Sequence, residues 1–337
     1  MENQFLTQAA IPVKIRNSLL SLAMCDALGG PVEFQQRGTF PLVTEMIENK
    51  HFNLAPGTWT DDTSMALCLG QAIIDSKGGI PSEASQAELY VRWRRNGYLS
   101  AIDRCFDIGG CTGVALGFWE TKPAKALGEV RKKLSGGYSC GNGSLMRVLP
   151  VALAFWEDSS KAMEVAMASS AVSHPHPMCQ EACAVYVFLV STILQCCTKQ
   201  KRMSKKDLLD VLYGYTFKNS TLCDAIGPTS EFTTKPDTEI YSSGFVLHTI
   251  QAALWCFFNT ETFEEGAIRV VNLGDDADTV AAVYGGLAGA WYSDLLETED
   301  SRSRFWSPRV QRWREQLVKR EVIEEIGNGL LGSQLRS

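Results

Sequence analysis

The sequence predicts an all-α fold, one large multi-helical domain, on three observations. Apolar residues recur at helical spacing in segment after segment, no series of alternating strands competes with them, and the segments are too numerous for a four-helix bundle. The first element covers residues 12–28, where Ile15, Leu19, Leu22 and Ala23 fall at helix-compatible offsets. The second covers 63–74 and repeats the pattern through Met65, Leu67, Leu69 and Ile73. Further helices are expected over 83–95, 144–157, 160–171, 179–195, 205–214, 244–258, 263–271, 278–292 and 309–326, separated by Gly, Pro and short polar stretches. Between them lie three loop-rich connections, 34–60, 120–143 and 217–242, the last holding Pro228 and Pro236. None reads as a linker between autonomous units, so a single domain over 12–328 is expected, with flexible termini at 1–11 and 329–337.

Composition bounds the function. A chain of 337 residues that is 45% hydrophobic and 21% charged can bury a substantial core, which excludes a disordered chain. Its 32 basic and 38 acidic residues leave a net charge of -6, which argues against nucleic acid and anionic membrane as partners. Eleven cysteines are too dilute for a disulfide scaffold and form no pair of CxxC motifs for structural zinc, so reduced thiols and a cytoplasmic setting are expected. Lys14 and Arg16 precede an apolar run, but Asp26 and Glu33 interrupt it without a cleavage pattern, so no secretory signal is expected. The apolar stretch at 182–194 is too short for a membrane span.

The acidic residues are placed unevenly. GTWTDDTSMAL puts Thr60, Asp61 and Asp62 at the start of one apolar-periodic helix, and NLGDDADTVAAVYGGLAGAW puts Asp275, Asp276, Asp278 and Thr279 at the start of another. Carboxylates at helix starts commonly cap free amides and meet the positive helix end, and that reading explains either cluster taken alone. Adjacent carboxylates also repel, and a divalent cation such as Mg²⁺, which favours hard oxygen ligands, removes that cost if the two helix starts converge. In MCDALGGPVEF, Glu33 follows a Gly29, Gly30 and Pro31 turn that either ends a helix or aims the carboxylate into a pocket. SGGYSCGNGSLMR has the closely spaced glycines of a backbone anion cradle, although such glycines more often mark an ordinary turn.

Together DALGGPVEF, GTWTDDTSMAL, YSCGNGSLMR, SSGFVLHTIQAALW and LGDDADTVAAVYGGLAGAWY resemble the ADP-ribosylglycohydrolase family, in order and across most of residues 18–292. The resemblance implies a compact multi-helical domain with a binuclear metal cleft, and hydrolysis of the bond between ADP-ribose and an acceptor. It implies two Mg²⁺ ions, with Mn²⁺ as substitute, on Thr60, Asp61, Asp62, Asp276, Asp278 and Thr279, Asp278 bridging. Glu33, Asp61, Asp62 and Asp278 carry catalysis on this reading, and Glu33 also meets the distal ribose. Substrate binding falls to Ser139, Cys140, Gly141, Asn142 and Gly143, to His174, and to Tyr241, Gly244 and Phe245. Asp275 stands where relatives often carry Gly, Cys140 replaces side chains such as an aromatic seen in some relatives, and Arg147 is open to a phosphate contact or a structural ion pair. The implied partner is an ADP-ribosylated protein or small ADP-ribosylated molecule, with ADP-ribose as product. An arginine N-glycosidic bond is the preferred linkage; ADP-ribosylserine, a small ADP-ribose derivative and a noncatalytic metal-dependent reader are the alternatives.

Overall fold

The computed structural model describes residues 6–7, 9–294 and 303–334. In chain order the helices are α1 (Ile11–Gly29), α2 (Asp61–Asp75), α3 (Glu83–Asn96), α4 (Gly110–Thr121), α5 (Ala126–Leu134), α6 (Leu149–Phe155), α7 (Ser159–Ala171) and α8 (Pro177–Thr198). They continue as α9 (Lys205–Tyr213), α10 (Ser220–Ile226), α11 (Val246–Phe258), α12 (Phe263–Val271), α13 (Ala277–Tyr292), α14 (Pro308–Gln316) and α15 (Arg320–Gln334). Two isolated bridges, Asn49 with Leu54 and Gly141 with Phe245, are the β pairing among the described residues. The chain is therefore all-α, as its periodicity predicts.

At the centre α1 and α13 run antiparallel at very short range. A Cβ at Gly285 would lie 2.4 Å from the Ser21 carbonyl oxygen, and one at Gly289 would lie 2.8 Å from Ser18 Cα, so the glycines let the two backbones touch. Ser18 Oγ donates to Gly286 O at 2.6 Å. Lys14 crosses to the far end of α13 and donates to the carbonyls of Ala290, Trp291 and Ser293 at 2.7, 3.2 and 3.2 Å, satisfying oxygens that the helix leaves open. At the near end a Cβ on Gly29 would lie 2.5 Å from Asp278 Cα. This approach brings the exit of α1 against the start of α13, where the acidic motif sits.

Several expected boundaries move, each for a local reason. The stretch 120–143 is not one long loop: α5 buries Ala126, Val130 and Leu134 on one face. Within 217–242, α10 forms because Asn219 Oδ1 accepts from Leu222 N, while the Glu181 carboxylate of α8 accepts from Lys218 N and Asn219 N at 2.6 and 2.7 Å. The helix expected over 144–157 begins only at Leu149, since residues 142–148 turn back on Asn142 O. The helix expected over 309–326 is two, because Val318 N donates to Gly57 O and Val318 O accepts from Trp59 Nε1 in the break between them. Of the C-terminal stretch expected to be flexible, Gly329 to Gln334 continue α15 and Leu330 is buried, while 335–337 lie outside the described residues. Near the N-terminus, Leu6 is buried and its amide donates to Met203 O, whereas residues 1–5 and 8 lie outside them.

α8 runs to 22 residues, long and apolar enough to cross a membrane, so the argument from shortness does not hold. Its composition has another cause: 78% of its most apolar window is buried, against α6, α7, α11 and α13.

Candidate metal and substrate site

The two acidic helix starts converge. Asp61 and Asp62 occupy the first turn of α2, and Asp276 and Asp278 the start of α13. Asp62 Oδ2 accepts from Thr60 Oγ1 at 3.2 Å and from Thr279 Oγ1 at 3.3 Å, which joins the two motifs directly. The helix-cap reading accounts for one of these residues, Asp278, whose Oδ1 accepts from the first-turn amide Thr279 N at 2.9 Å. Thr60, Asp61, Asp62 and Asp276 have no such bond to an N2 or N3 amide among the described residues. For α2 that duty falls to Asp26 of α1. Its carboxylate accepts from Thr60 N at 2.9 Å and Thr63 N at 3.0 Å, and from the two threonine hydroxyls at 2.9 and 2.5 Å. Asp26 thereby leaves the α2 carboxylates free for something else.

Asp107 was not foreseen from the sequence. Its carboxylate lies with those of Glu33 and Asp278, one oxygen of each within 4.8 Å of the others. This trio can hold a metal ion. Burial, then the nearby Asp107, pushes Glu33 up to about 11. Burial pushes Asp107 up to about 7 and Asp26 up to about 6. Asp61, Asp62 and Asp278 are pushed well above the usual carboxylate range by burial and by one another, and Asp276 is raised by burial. Seven carboxyls thus share one site. Glu33 Oε2 and Asp62 Oδ1 are buried without a hydrogen-bond partner among the described residues, an expensive arrangement unless a cation meets them.

Above the acids opens a cavity of about 650 Å³, walled by Glu33, Asp61, Asp107, Asp276 and Thr279 on one side and by Gly141 to Gly143, His174 and Gly244 on the other. The glycine-rich loop is fixed by Gly244 and Val246: Asn142 N donates to Gly244 O at 3.1 Å and Val246 N donates to Cys140 O at 3.0 Å. Asn142 Nδ2 donates to Asp276 Oδ2 at 2.6 Å, tying the loop to the acids. Gly143 is required, since a Cβ there would lie 2.9 Å from the His174 ring and 3.0 Å from Thr112 Oγ1. Thr112 and the Gly109, Gly110 start of α4 complete that wall.

Other sequence-derived candidates stand away from the cavity wall. Cys140 is buried and contributes its carbonyl to Val246, so its sulfur does not line the cavity. Ser139 is half-buried outside it, and Phe245 packs edge-on to His248. Tyr241 is exposed and stacks on the same His248 ring, 5.1 Å between centroids. Arg147 forms no ion pair among the described residues and does not line the cavity; it is fully buried beneath the glycine-rich loop and donates to Gly143 O. His176 caps α8, its Nδ1 accepting from Met178 N. Asp275, by contrast, does line the cavity; it has φ +54 and Phe34 φ +63, and the two segments bracket each other: Phe34 N donates to Asp275 O at 2.7 Å and Asp275 N to Gln35 O at 2.8 Å. The left-handed backbone at Asp275 is the conformation glycine adopts freely. All eleven cysteines are free thiols.

Comparison with known proteins agrees with this arrangement. The family model described as ADP-ribosylglycohydrolase matches residues 7–336. ADP-ribosylarginine hydrolase Tri1 of Serratia proteamaculans (strain 568) is 31% identical, over 94% of this chain and 78% of its own. Its namesake from Pseudomonas putida (strain GB-1) is 32% identical, over 95% and 82%. A solved structure described as an ADP-ribosylglycohydrolase-related protein complex superposes with a TM-score of 0.75 at 30% identity, covering 96% of this chain and 99% of that one.

Proposed function

Because the chain belongs to the ADP-ribosylglycohydrolase family, we propose that its acidic cleft cleaves the N-glycosidic bond of ADP-ribosylarginine with two Mg²⁺ ions, which Mn²⁺ can replace. Family membership makes it a hydrolase of ADP-ribosylated acceptors. The arginine linkage is drawn from the two relatives named as ADP-ribosylarginine hydrolases. The observation that carries the metal is the trio of buried Glu33 and Asp278 with half-buried Asp107, set among four further raised carboxyls with two orphaned oxygens. Thr60, Asp61, Asp62, Asp276, Asp278 and Thr279 would hold the ions, with Glu33 and Asp107 beside them. This donor set is all oxygen, which favours Mg²⁺ or Mn²⁺ over zinc.

Bound divalent cations would supply positive charge for the ribose hydroxyls and for the negative charge in the cleft. The protein's own groups do the rest. Gly141 to Gly143 and His174 would seat the ADP-ribose, and Asn142 holds Asp276 in place. Burial and the neighbouring carboxyls keep Glu33 protonated in the metal-free chain. With cations offsetting those charges it would be ionised, and its Oε2, which has no protein partner among the described residues, would orient the attacking water and take its proton. As the water oxygen bonds to the anomeric carbon, the bond from that carbon to the guanidine nitrogen breaks. The departing guanidine keeps the bonding pair, takes up the proton that left the water, and ends as guanidinium, the stable form of free arginine, while Glu33 returns to its starting state.

The test is an acceptor panel. Matched ADP-ribosylarginine and ADP-ribosylserine peptides, and small ADP-ribosylated molecules, are incubated with the protein with and without Mg²⁺, and free ADP-ribose is measured. Release from the arginine peptide that needs Mg²⁺ is expected. Preferential release from serine would move the linkage, and Mg²⁺-dependent binding without release from any acceptor would make the protein a reader.

A further inference from the structure

The cavity wall opposite the acids rests on a cation. Arg147 is fully buried and forms no ion pair among the described residues. Its Nη1 donates to Gly143 O at 2.8 Å and its Nη2 to Ser173 Oγ at 2.7 Å. Its guanidinium carbon lies 4.7 Å from the centre of the Tyr90 ring, and its Nε has no partner. A buried guanidinium without a counter-ion is costly, so hydrogen bonding to uncharged groups alone is a poor reason to keep one there.

The chain of contacts continues from Ser173. Its Oγ lies 2.8 Å from His174 Nδ1, and both residues are buried. Arg147 has donors only, so Ser173 Oγ accepts from it. The single Ser173 proton then has one acceptor within reach among the described residues, His174 Nδ1. Were Nδ1 itself protonated, the Ser173 hydroxyl would be left buried without an acceptor, at the full cost of its desolvation. The neutral imidazole therefore carries its proton on Nε2. That nitrogen stands beside the glycine-rich loop, 3.4 Å from where a Gly141 Cβ would sit and 3.3 Å from where a Gly143 Cβ would sit, and the residue lines the cavity.

We propose that Arg147 and Ser173 are positioning residues that fix His174 as its Nε2–H tautomer, so that a neutral, directed donor faces the anionic oxygens of ADP-ribose at Gly141 to Gly143. The inference rests on reading the cavity as the ADP-ribose site. Burial and the guanidinium both press the imidazole down, to about 3, so the ring is neutral at pH 7 and its contribution is orientation, not charge. The guanidinium supplies the charge from behind, polarising the Ser173 hydroxyl toward Nδ1 and adding positive potential under the loop. Because Arg147 itself does not reach the cavity wall, it acts through the serine and the imidazole.

The experiment reads the ring directly. Full-length protein labelled with ¹⁵N in its histidine rings is examined by long-range ¹H–¹⁵N correlation; the chain has four histidines, and His174→Gln identifies the resonances of this one. Wild type should show a single neutral tautomer with the proton on Nε2. Ser173→Ala should give a tautomer mixture, and Ser173→Thr, which restores the hydroxyl, should return the single form. Calorimetric affinity for ADP-ribose should weaken about tenfold in Ser173→Ala, the scale of one hydrogen bond to a charged group, and recover in Ser173→Thr. A wild-type ring protonated on Nδ1, or a Ser173→Ala variant that keeps the pure Nε2–H form and full affinity, would overturn the proposal. If wild type shows the expected ring proton yet binds no ADP-ribose, the cavity assignment fails and the facing of substrate oxygens fails with it, while the Arg147 to Ser173 to His174 arrangement stands.

Discussion

Asp62 condenses the chemistry of the site into one side chain. Its Oδ2 is held by two threonine hydroxyls and its Oδ1 by nothing, in a position 1% exposed. Without a cation such a carboxylate opposes folding; with one it is a ligand. Asp62→Asn should therefore raise the melting temperature in EDTA, by about 1–2 °C for a gain near 1 kcal/mol in a chain of this size, while calorimetry shows Mg²⁺ affinity falling at least about tenfold through the lost charge. A lower melting temperature in EDTA together with unchanged Mg²⁺ affinity would remove Asp62 from the metal site. The paired Asp residues at 61, 62, 276 and 278 were legible because two hydrophobic helix patterns each begin on them. Asp107 was not, since it is a lone carboxylate with φ +61 in CFDIGGCTG, where neither periodicity nor a neighbouring acid marks it. The signal present was an Asp just before a Gly pair that opens a helix. Asp26 was noticed as acidic, but its role in capping α2 depends on a contact 34 residues away.

The same distinction between local and distant causes holds for elements. Long periodic helices such as α1, α2, α8, α11 and α13 are visible in the sequence because their apolar faces extend over several turns. α4 opens on a glycine-rich GCTG, α5 has nine residues, and α10 has seven and relies on Glu181 of another helix for its cap; each lacks a run long enough to show a period. The α1 and α13 pair is the element-scale feature on which the site depends. Gly29→Ala would drive a Cβ to 2.5 Å from Asp278 Cα and 2.6 Å from its amide nitrogen, backbone atoms that cannot swing aside. Expected is a loss of about 2–3 kcal/mol in denaturant unfolding, in line with other overpacked cores, together with weakened Mg²⁺ binding because Asp278 is displaced. Wild-type stability with wild-type metal affinity would show that the two helices can separate without cost to the site.

At the scale of the molecule, a net charge of -6 conceals an acid core. Asp26, Glu33, Asp61, Asp62, Asp107, Asp276 and Asp278 all hold their protons more tightly in the folded chain than unfolded, where such groups release them near pH 4. Above that pH the folded state carries more protons, so their contribution to stability is full in acid and falls as pH rises, with Asp26 and Asp107 releasing at about 6 and about 7. His174, lowered to about 3, and His248, lowered by burial, work in the opposite sense up to about pH 6.5, as two groups against seven. In EDTA the melting temperature should therefore decline from pH 5 to pH 7, and the increase produced by Mg²⁺ should grow over the same range. A flat profile with no Mg²⁺ increment would count against a cation site. The antiparallel pairing of α1 with α13 bears also on the order in which the chain can mature. Asp61 and Asp62 leave the ribosome more than two hundred residues before Asp278, and contacts of such separation close late and slowly. Until the first turn of α13 has emerged Gly29 has no backbone to rest against, and until its last turn has emerged Lys14 has no carbonyls to cap. A metal ion at this site would therefore have to wait for α13: a chain that stops short of it keeps the acids of α2 but lacks Asp276 and Asp278.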